Sequence, residues 1–331
     1  MTTRAAAFLR DVEARPASPE AGVAHRVAGM THWFAGEFER AREHLEQALA
    51  LFEPGRDDGL AFRFGSDAGV QAMLYLAFTL WQLGEVDRAV SLVGDAKARI
   101  AGVAHAGACA TGKAHAAFFE LTRGDLEQPP PNASELARIA RDHDLVFWRP
   151  YGDFLEGCVK ADASAQVEGL NEMRRGLELL REQNAASFVP LLKLALARAE
   201  ARAGDLGGAL ATLDEALAES ERTSHRAFDA ELHRARGGIL LQRDLDNPAP
   251  AEEAFRAALE IAQQQGSHSF GLRAALSLAK LYQSIGRPAD AHAVLAPALE
   301  GFSPTPEMPE IAEAQSLLQQ LQAELGDERL R

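Results

Sequence analysis

The sequence predicts an all-α fold, a superhelical solenoid of about seven antiparallel helix pairs closed by a C-terminal capping helix. Three observations carry this prediction. Good helix formers (Ala, Leu, Glu, Arg, Gln) dominate, aromatics are only 7%, and β-branched runs are almost absent. One pattern returns along the chain: "GEFERAREHLEQAL" (36–49), "GDLGGALATLDEAL" (204–217) and "GRPADAHAVLAPAL" (286–299) place Gly, Ala, Leu, Ala and Leu at offsets 0, 5, 9, 12 and 13. The first alanine position recurs as Ala41, Ala89, Pro129, Gly169, Ala209, Ala251 and Ala291, at intervals of 48, 40, 40, 40, 42 and 40.

Each part of the pattern has a helical meaning. The glycine makes the turn, where a positive φ costs it little. The alanines and leucines then share one helix face at three- and four-residue spacing. Twelve residues before the alanine stands another small residue: Gly29, Ala77, Ala117, Gly157, Ala197 and Ala279, with Gly237 matching once a two-residue insertion near "LDNPAP" is allowed. A unit is therefore two antiparallel helices with small residues where they cross. One such pair cannot bury its apolar face alone, so stacked pairs must repeat the packing residues.

The whole chain, 1–331, reads as one repeat domain. Seven pairs fill 20–302. Within 1–15 an opening helix, roughly 2–14, puts Ala5 and Phe8 on its packing face as the second half of a unit without its first half. After the break "SPTPEMP", an amphipathic capping helix is expected over 308–326. Three places depart from the rhythm. In the third unit "EQPPPNASE" delays the second helix to Asn132, which with Glu135 makes a capping-box-like pair. Eight extra residues enter around 55–69, where Phe62, Arg63 and Phe64 alternate as a short extended segment and a candidate contact loop. Pro297 should kink the last helix of the seventh pair.

Composition excludes several functions. With 48 acidic and 34 basic residues the net charge is −14, so no nucleic-acid partner is expected, because such binding draws on phosphate neutralisation. Cys109 and Cys158 make no disulfide framework, which fits a reducing compartment. The first apolar run is too short for a signal peptide, and no stretch is apolar enough to span a membrane. A cytoplasmic location follows as the expectation.

No catalytic residue, cofactor or metal ligand stands out. "GACATGKA" (107–114) has phosphate-loop spacing, but Ala114 replaces the hydroxyl residue and no strand precedes it. The ten histidines show no zinc spacing; His25 and His32 share a helix face with no carboxylate between them. Cys158, beside Gly157, reads as a small core residue. "NAS" (132–134) matches a glycosylation sequon, without meaning in a cytosolic chain.

The pattern of small residue, turn glycine, alanine, large residue and alanine resembles the tetratricopeptide repeat, lengthened to a 40-residue unit. A closer resemblance lies in "FRFGSDAGVQAMLYLAFTLWQLG" (62–84), "AELHRARGGILLQ" (230–242) and "AEEAFRAALEIAQQQGSHSFGLRAALSLAKLYQSIGR" (251–287). These blocks are similar to the C-terminal repeat region of bacterial multidomain signalling proteins. Those proteins join a class III adenylate/guanylate cyclase or a transcriptional regulator to a signal-transduction ATPase. The resemblance implies a right-handed superhelix whose first helices line a concave groove. It also implies a non-catalytic regulatory module, excised from a larger protein and partnered by a protein, a peptide or the parent's other domains.

Residues expected to face that groove form two walls. Met30, Trp33, Leu74, Phe78, Trp81, Phe118, Tyr151 and Phe154 make an aromatic and apolar wall; Arg198, Arg234, Arg273 and Lys280 make a basic one. Together they suit an acidic amphipathic peptide. The Lys/Asn carboxylate clamp of chaperone-binding relatives is not evident. Rival readings are a small-molecule sensor with its ligand in the groove, an enzyme acting on nucleotides through Lys113, and a structural oligomerisation scaffold. An unpaired apolar face near Phe8 adds a homodimer to the expectations.

Overall fold

The computed structural model describes residues 2–12, 18–124, 133–162 and 166–330, with side chains from Arg4 to Gly326. Every regular element among them is an α-helix. In chain order these are α1 (Thr2–Val12), α2 (Pro19–Ala35), α3 (Phe38–Leu51), α4 (Leu60–Phe64), α5 (Ala68–Gln82), α6 (Val86–Ile100), α7 (Ala106–Arg123), α8 (Ala133–Asp142) and α9 (Arg149–Asp162). Then follow α10 (Gln166–Glu182), α11 (Val189–Arg202), α12 (Leu206–Thr223), α13 (Asp229–Arg243), α14 (Ala249–Gln265), α15 (His268–Ser284), α16 (Pro288–Leu299) and α17 (Glu310–Leu330).

The helices pack in sequence as pairs, α2 with α3, α5 with α6, α7 with α8, and so on to α15 with α16. The first helix of each pair also touches the first helix of the next, for example α11 with α13 and α13 with α15. Inside a pair the repeat residues act as their size demands. A methyl group on Gly29 would lie 2.5 Å from Leu45 Cγ, and one on Gly157 would lie 2.9 Å from the Gly169 carbonyl oxygen. Only small residues allow the two backbones this close. At the turn between α11 and α12, Gly204 holds φ 87°, a left-handed conformation open to glycine, and the same turn recurs at Gly36, Gly84, Gly124 and Gly286. Asp205 then caps α12, its Oδ1 accepting the Gly208 amide at 2.8 Å.

Several expectations change in detail. Phe62–Phe64 is not extended but forms most of the short helix α4. Its neighbours Leu60 and Ala61 are both buried, which a strand would send to opposite faces. The cap is longer than expected, since α17 runs to Leu330; Ile311, Ala314 and Leu321 cover the end of the stack. Pro297 lies in the last turn of α16, which stops at Leu299. Asn132 and Pro129, and with them the expected capping pair, lie outside the described residues; Glu135 pairs with Lys113 at 2.7 Å. Around α1, buried Ala5 and Val12 and half-buried Phe8 sit by Ala21, Ala24 and Leu51, so α2 covers part of the face expected to be unpaired.

The stack curls until early and late units touch. Ser269 Oγ donates to the Trp81 carbonyl at 2.5 Å, and Ser267 Oγ donates to Gln82 Oε1. The Arg226 amide donates to the Phe34 carbonyl at 2.6 Å. Arg123 reaches Glu307 at 2.7 Å, and Thr305 Oγ1 donates to Asp87 at 2.6 Å. A single apolar cluster runs through this interior from Trp33 to Leu321.

Candidate functional site

The two expected walls meet different fates. Trp33, Leu74, Phe78, Trp81 and Phe154 have no exposed surface, and Phe118 and Tyr151 are 1% exposed. They are interior, not the face of an open groove; only Met30 is half-buried, its sulfur 3.7 Å from Arg26 Nη1. The physical reason is a plug of aromatic side chains from the starts of later units, Phe188 and Phe228 just before their helices and Phe270 in the first turn of α15. Phe188 lies 4.7 Å from Phe118, 5.4 Å from Trp33 and 5.5 Å from Phe78, ring centre to ring centre. Phe228 meets Trp33 at 5.6 Å, and Phe270 meets Trp81 at 5.3 Å. Such tilted and edge-on contacts are the favoured aromatic geometries. Phe188 holds this place with φ 62°, rare for a side chain of its size.

Sequence reasoning missed the plug although a signal was there. Trp148, Phe188, Phe228 and Phe270 follow one another at 40, 40 and 42 residues, the same rhythm as the alanines. Each stands at or near the start of a first helix; Phe188, Phe228 and Phe270 are buried in the plug, while Trp148 is half-buried against Phe147 and Tyr151.

Three of the four basic residues converge. Glu231, 1% exposed on α13, accepts Arg234 Nε and Nη2 at 2.8 Å each, and a further bond from Arg198 Nη2. Arg273 Nη1 is 3.9 Å from the same carboxylate. Burial disfavours the charged carboxylate, but Arg234, Arg198 and Arg273 outweigh it and hold the group at about 2. The reverse applies to Arg198: burial and its neighbours Arg234 and Arg273 bring its guanidinium down to about 10 despite Glu231. Arg273, 5% exposed, also binds Glu310 at 2.7 Å and donates to the Thr122 carbonyl at 3.1 Å and to that of Arg123. Lys280 does not join them; it pairs with Glu313 on the capping helix.

These arginines border a cavity of about 370 Å³ with Arg202, Ala201, Ala235, Gly238, Ile239, Gly124 and Glu310. Glu231, Arg202 and Glu310 were not anticipated. Glu231 had a signal, as the acid three residues before Arg234 on one helix face. Arg202 and Glu310 had none, since only the tertiary packing brings α11 and α17 to one cavity.

The candidate contact loop lies on the surface. Phe62 is 77% and Phe64 38% exposed, and Arg63 reaches Glu20 at 3.0 Å. Phe62 stands edge-on to His105, in the loop before α7, at 5.2 Å. Val146 and Phe147, before α9, are 62% and 49% exposed. These residues all sit in connections that lead into first helices, the same edge of the stack.

Residues 107–114 lie inside α7, so no loop there wraps a phosphate. His44 of α3 enters between His25 and His32, its Nδ1 3.0 Å from that of His25, while His32 bonds Glu37 at 2.5 Å. No group of three His, Cys, Asp or Glu among the described residues suits a metal ion. Burial pushes the Cys158 thiol up to about 12, away from nucleophilic reactivity at neutral pH. No helix among the described residues is long and apolar enough to cross a membrane.

A tetratricopeptide-repeat family model matches residues 22–47, 70–94 and 190–215, which fall on α2/α3, α5/α6 and α11/α12. An uncharacterized protein of Rhizobium meliloti is 28% identical over 253 residues, covering 76% of this chain and 24% of that protein. The chain thus spans about a quarter of the length of the curated relative it matches. Among solved structures, a Rap protein complexed with competence and sporulation factor superposes with a TM-score of 0.51 at 14% identity, over 94% of this chain and 99% of that one. A signal-transduction ATPase with a tetratricopeptide-repeat sensor from Pyrococcus horikoshii gives 0.44 at 15% identity, over 97% and 55%. The Rap likeness shows a shared helical-repeat fold.

Proposed function

We propose that this chain is a non-catalytic interaction and regulatory module within a longer signalling protein. It docks the parent's other domains through the loops that open its first helices. The observation that carries this reading is the apolar edge: Phe62 and Phe64 of the short helix α4, and Val146 and Phe147 of the loop before α9, are large, exposed, and set in connections leading into first helices. Exposed aromatics in positioned loops are the usual material of an interface. The Rhizobium meliloti relative, four times as long as the matched part, supports a larger parent. The Rap complex supports a binding role for such a fold, because that protein holds a factor.

The test uses the flanking part of the encoding reading frame, co-expressed with this chain. The two should co-elute in size exclusion, and Phe62→Ser with Phe147→Ser should separate them without changing the melting temperature. Co-elution that survives both substitutions, or a reading frame with no further domain, refutes the proposal.

A further inference from the structure

We propose that the arginine-lined cavity is a binding site for a small organic anion. Its carboxylate or phosphoryl head would sit on Arg198 and Arg202 and its short apolar body against Ala201, Ala235 and Ile239. This goes beyond the edge loops, which precede first helices; the cavity lies toward the other end of those helices, at Gly124 after α7 and Arg202 closing α11.

The charge count around the cavity motivates the site. Arg198, Arg202, Arg234 and Arg273 face two carboxylates, Glu231 and Glu310. Even when Asp162, 3.5 Å from Arg202, is credited, a positive charge is left over in a partly dry place. Such an excess is costly without a counter-ion. The Glu231 oxygens and Glu310 Oε1 are already used, and Glu310 Oε2 is the one cavity carboxylate oxygen that is buried without a partner. Glu231 takes both forks of Arg234 and one bond from Arg198. Glu310 takes Arg273, whose other two nitrogens are spent on the carbonyls of Thr122 and Arg123.

Donors are left over where a ligand could use them. Arg198 makes one hydrogen bond, through Nη2, which leaves Nε and Nη1 free. Arg202, 43% exposed at the rim, has only the long contact to Asp162. The two stand four residues apart on α11, so their guanidinium groups lie on one face. Like charges at this spacing repel unless something negative lies between them. Guanidinium forks match the planar oxygens of a carboxylate or phosphate. A volume of about 370 Å³ suits a small ligand and not a folded segment. The apolar side of the cavity, from Ala201 to Ile239, asks for a short hydrocarbon portion rather than a bare ion.

Calorimetric titration of the purified chain with butyrate, butyl phosphate and inorganic phosphate, at constant ionic strength in chloride, tests this. Saturable binding tighter than about 1 mM is expected for butyrate or butyl phosphate. The preferred one identifies the head group as carboxylate or phosphoryl, and inorganic phosphate should bind more weakly than butyl phosphate. Arg202→Gln, which leaves the Glu231 network intact, should weaken binding about tenfold at unchanged melting temperature. Arg198→Lys should weaken it similarly by removing the fork while keeping the charge. Absence of saturable binding by all three probes, or binding that neither substitution weakens, overturns the proposal.

Discussion

The Arg273 guanidinium lies over the Trp81 indole, 4.8 Å from the ring centre. One residue belongs to the last helix pair and the other to the second. Their contact is cation–π in kind, and it sits beside the Ser269 bond to the Trp81 carbonyl. The early and late units are therefore joined through side chains that an open groove would have displayed.

Trp81 and Trp33 should accordingly behave as core residues. Each is fully buried, so Trp81→Ala or Trp33→Ala is expected to lower unfolding free energy by about 3–5 kcal/mol. Urea unfolding followed by circular dichroism measures this. A loss below about 1 kcal/mol would mean that the aromatic interior is open to water in solution.

The crossing points of the helix pairs offer a second, opposite pair of outcomes. A methyl at Gly169 would collide with the Ala161 amide and the Gly157 carbonyl, both backbone, so α9 and α10 would have to separate. Gly169→Ala should destabilise the fold by about 1–3 kcal/mol. At Gly94, inside α6, an added methyl meets nothing within 4 Å. Gly94→Ala should stabilise by about 0.5–1 kcal/mol through its smaller backbone entropy loss. Melting temperatures that move the same way for both would contradict the close-crossing account.

Acid should weaken the fold through His115. Its Nδ1 bonds the Thr111 carbonyl at 2.7 Å, so that nitrogen carries the proton; Nε2, 3.2 Å away, accepts from the Tyr75 hydroxyl. Burial, with Arg26 nearby, lowers its pKa from 6.5 to about 4 although the Thr111 bond works the other way. The folded state therefore resists a proton that the unfolded chain takes up. The stability is complete above pH 6.5 and is lost as pH falls toward about 4. About 2 kcal/mol should be gone at pH 5 from this residue. Burial lowers His25, His44, His225 and His233 in the same direction, while half-buried Asp229, its pKa raised by desolvation, opposes them. Unfolding free energies at pH 7 and pH 5 should differ less in His115→Gln than in the natural chain. An equal difference in both would remove His115 from the explanation.

The repeat was legible because its cause is local. Helix propensity, a glycine in a left-handed turn and small residues at a crossing all act within 40 residues, so Ala41, Gly169 and Ala209 declare their roles in order along the chain. Places where local signals conflict were read less well. Phe62 and Phe64 alternate like a strand, yet the burial of Leu60 and Ala61 together sets a helix there.

By itself, then, the sequence determined the helix pairs and their crossings, and it set Arg198, Arg234 and Arg273 on successive first helices. The tertiary structure alone decided that the superhelix closes. That outcome depends on small rotations between units summed over the whole stack, which no single unit encodes. Closure drives Phe188, Phe228 and Phe270 into the centre, burying Trp33 and Trp81, and it buries Arg273 as well, where Glu310 and the Thr122 and Arg123 carbonyls replace the lost water.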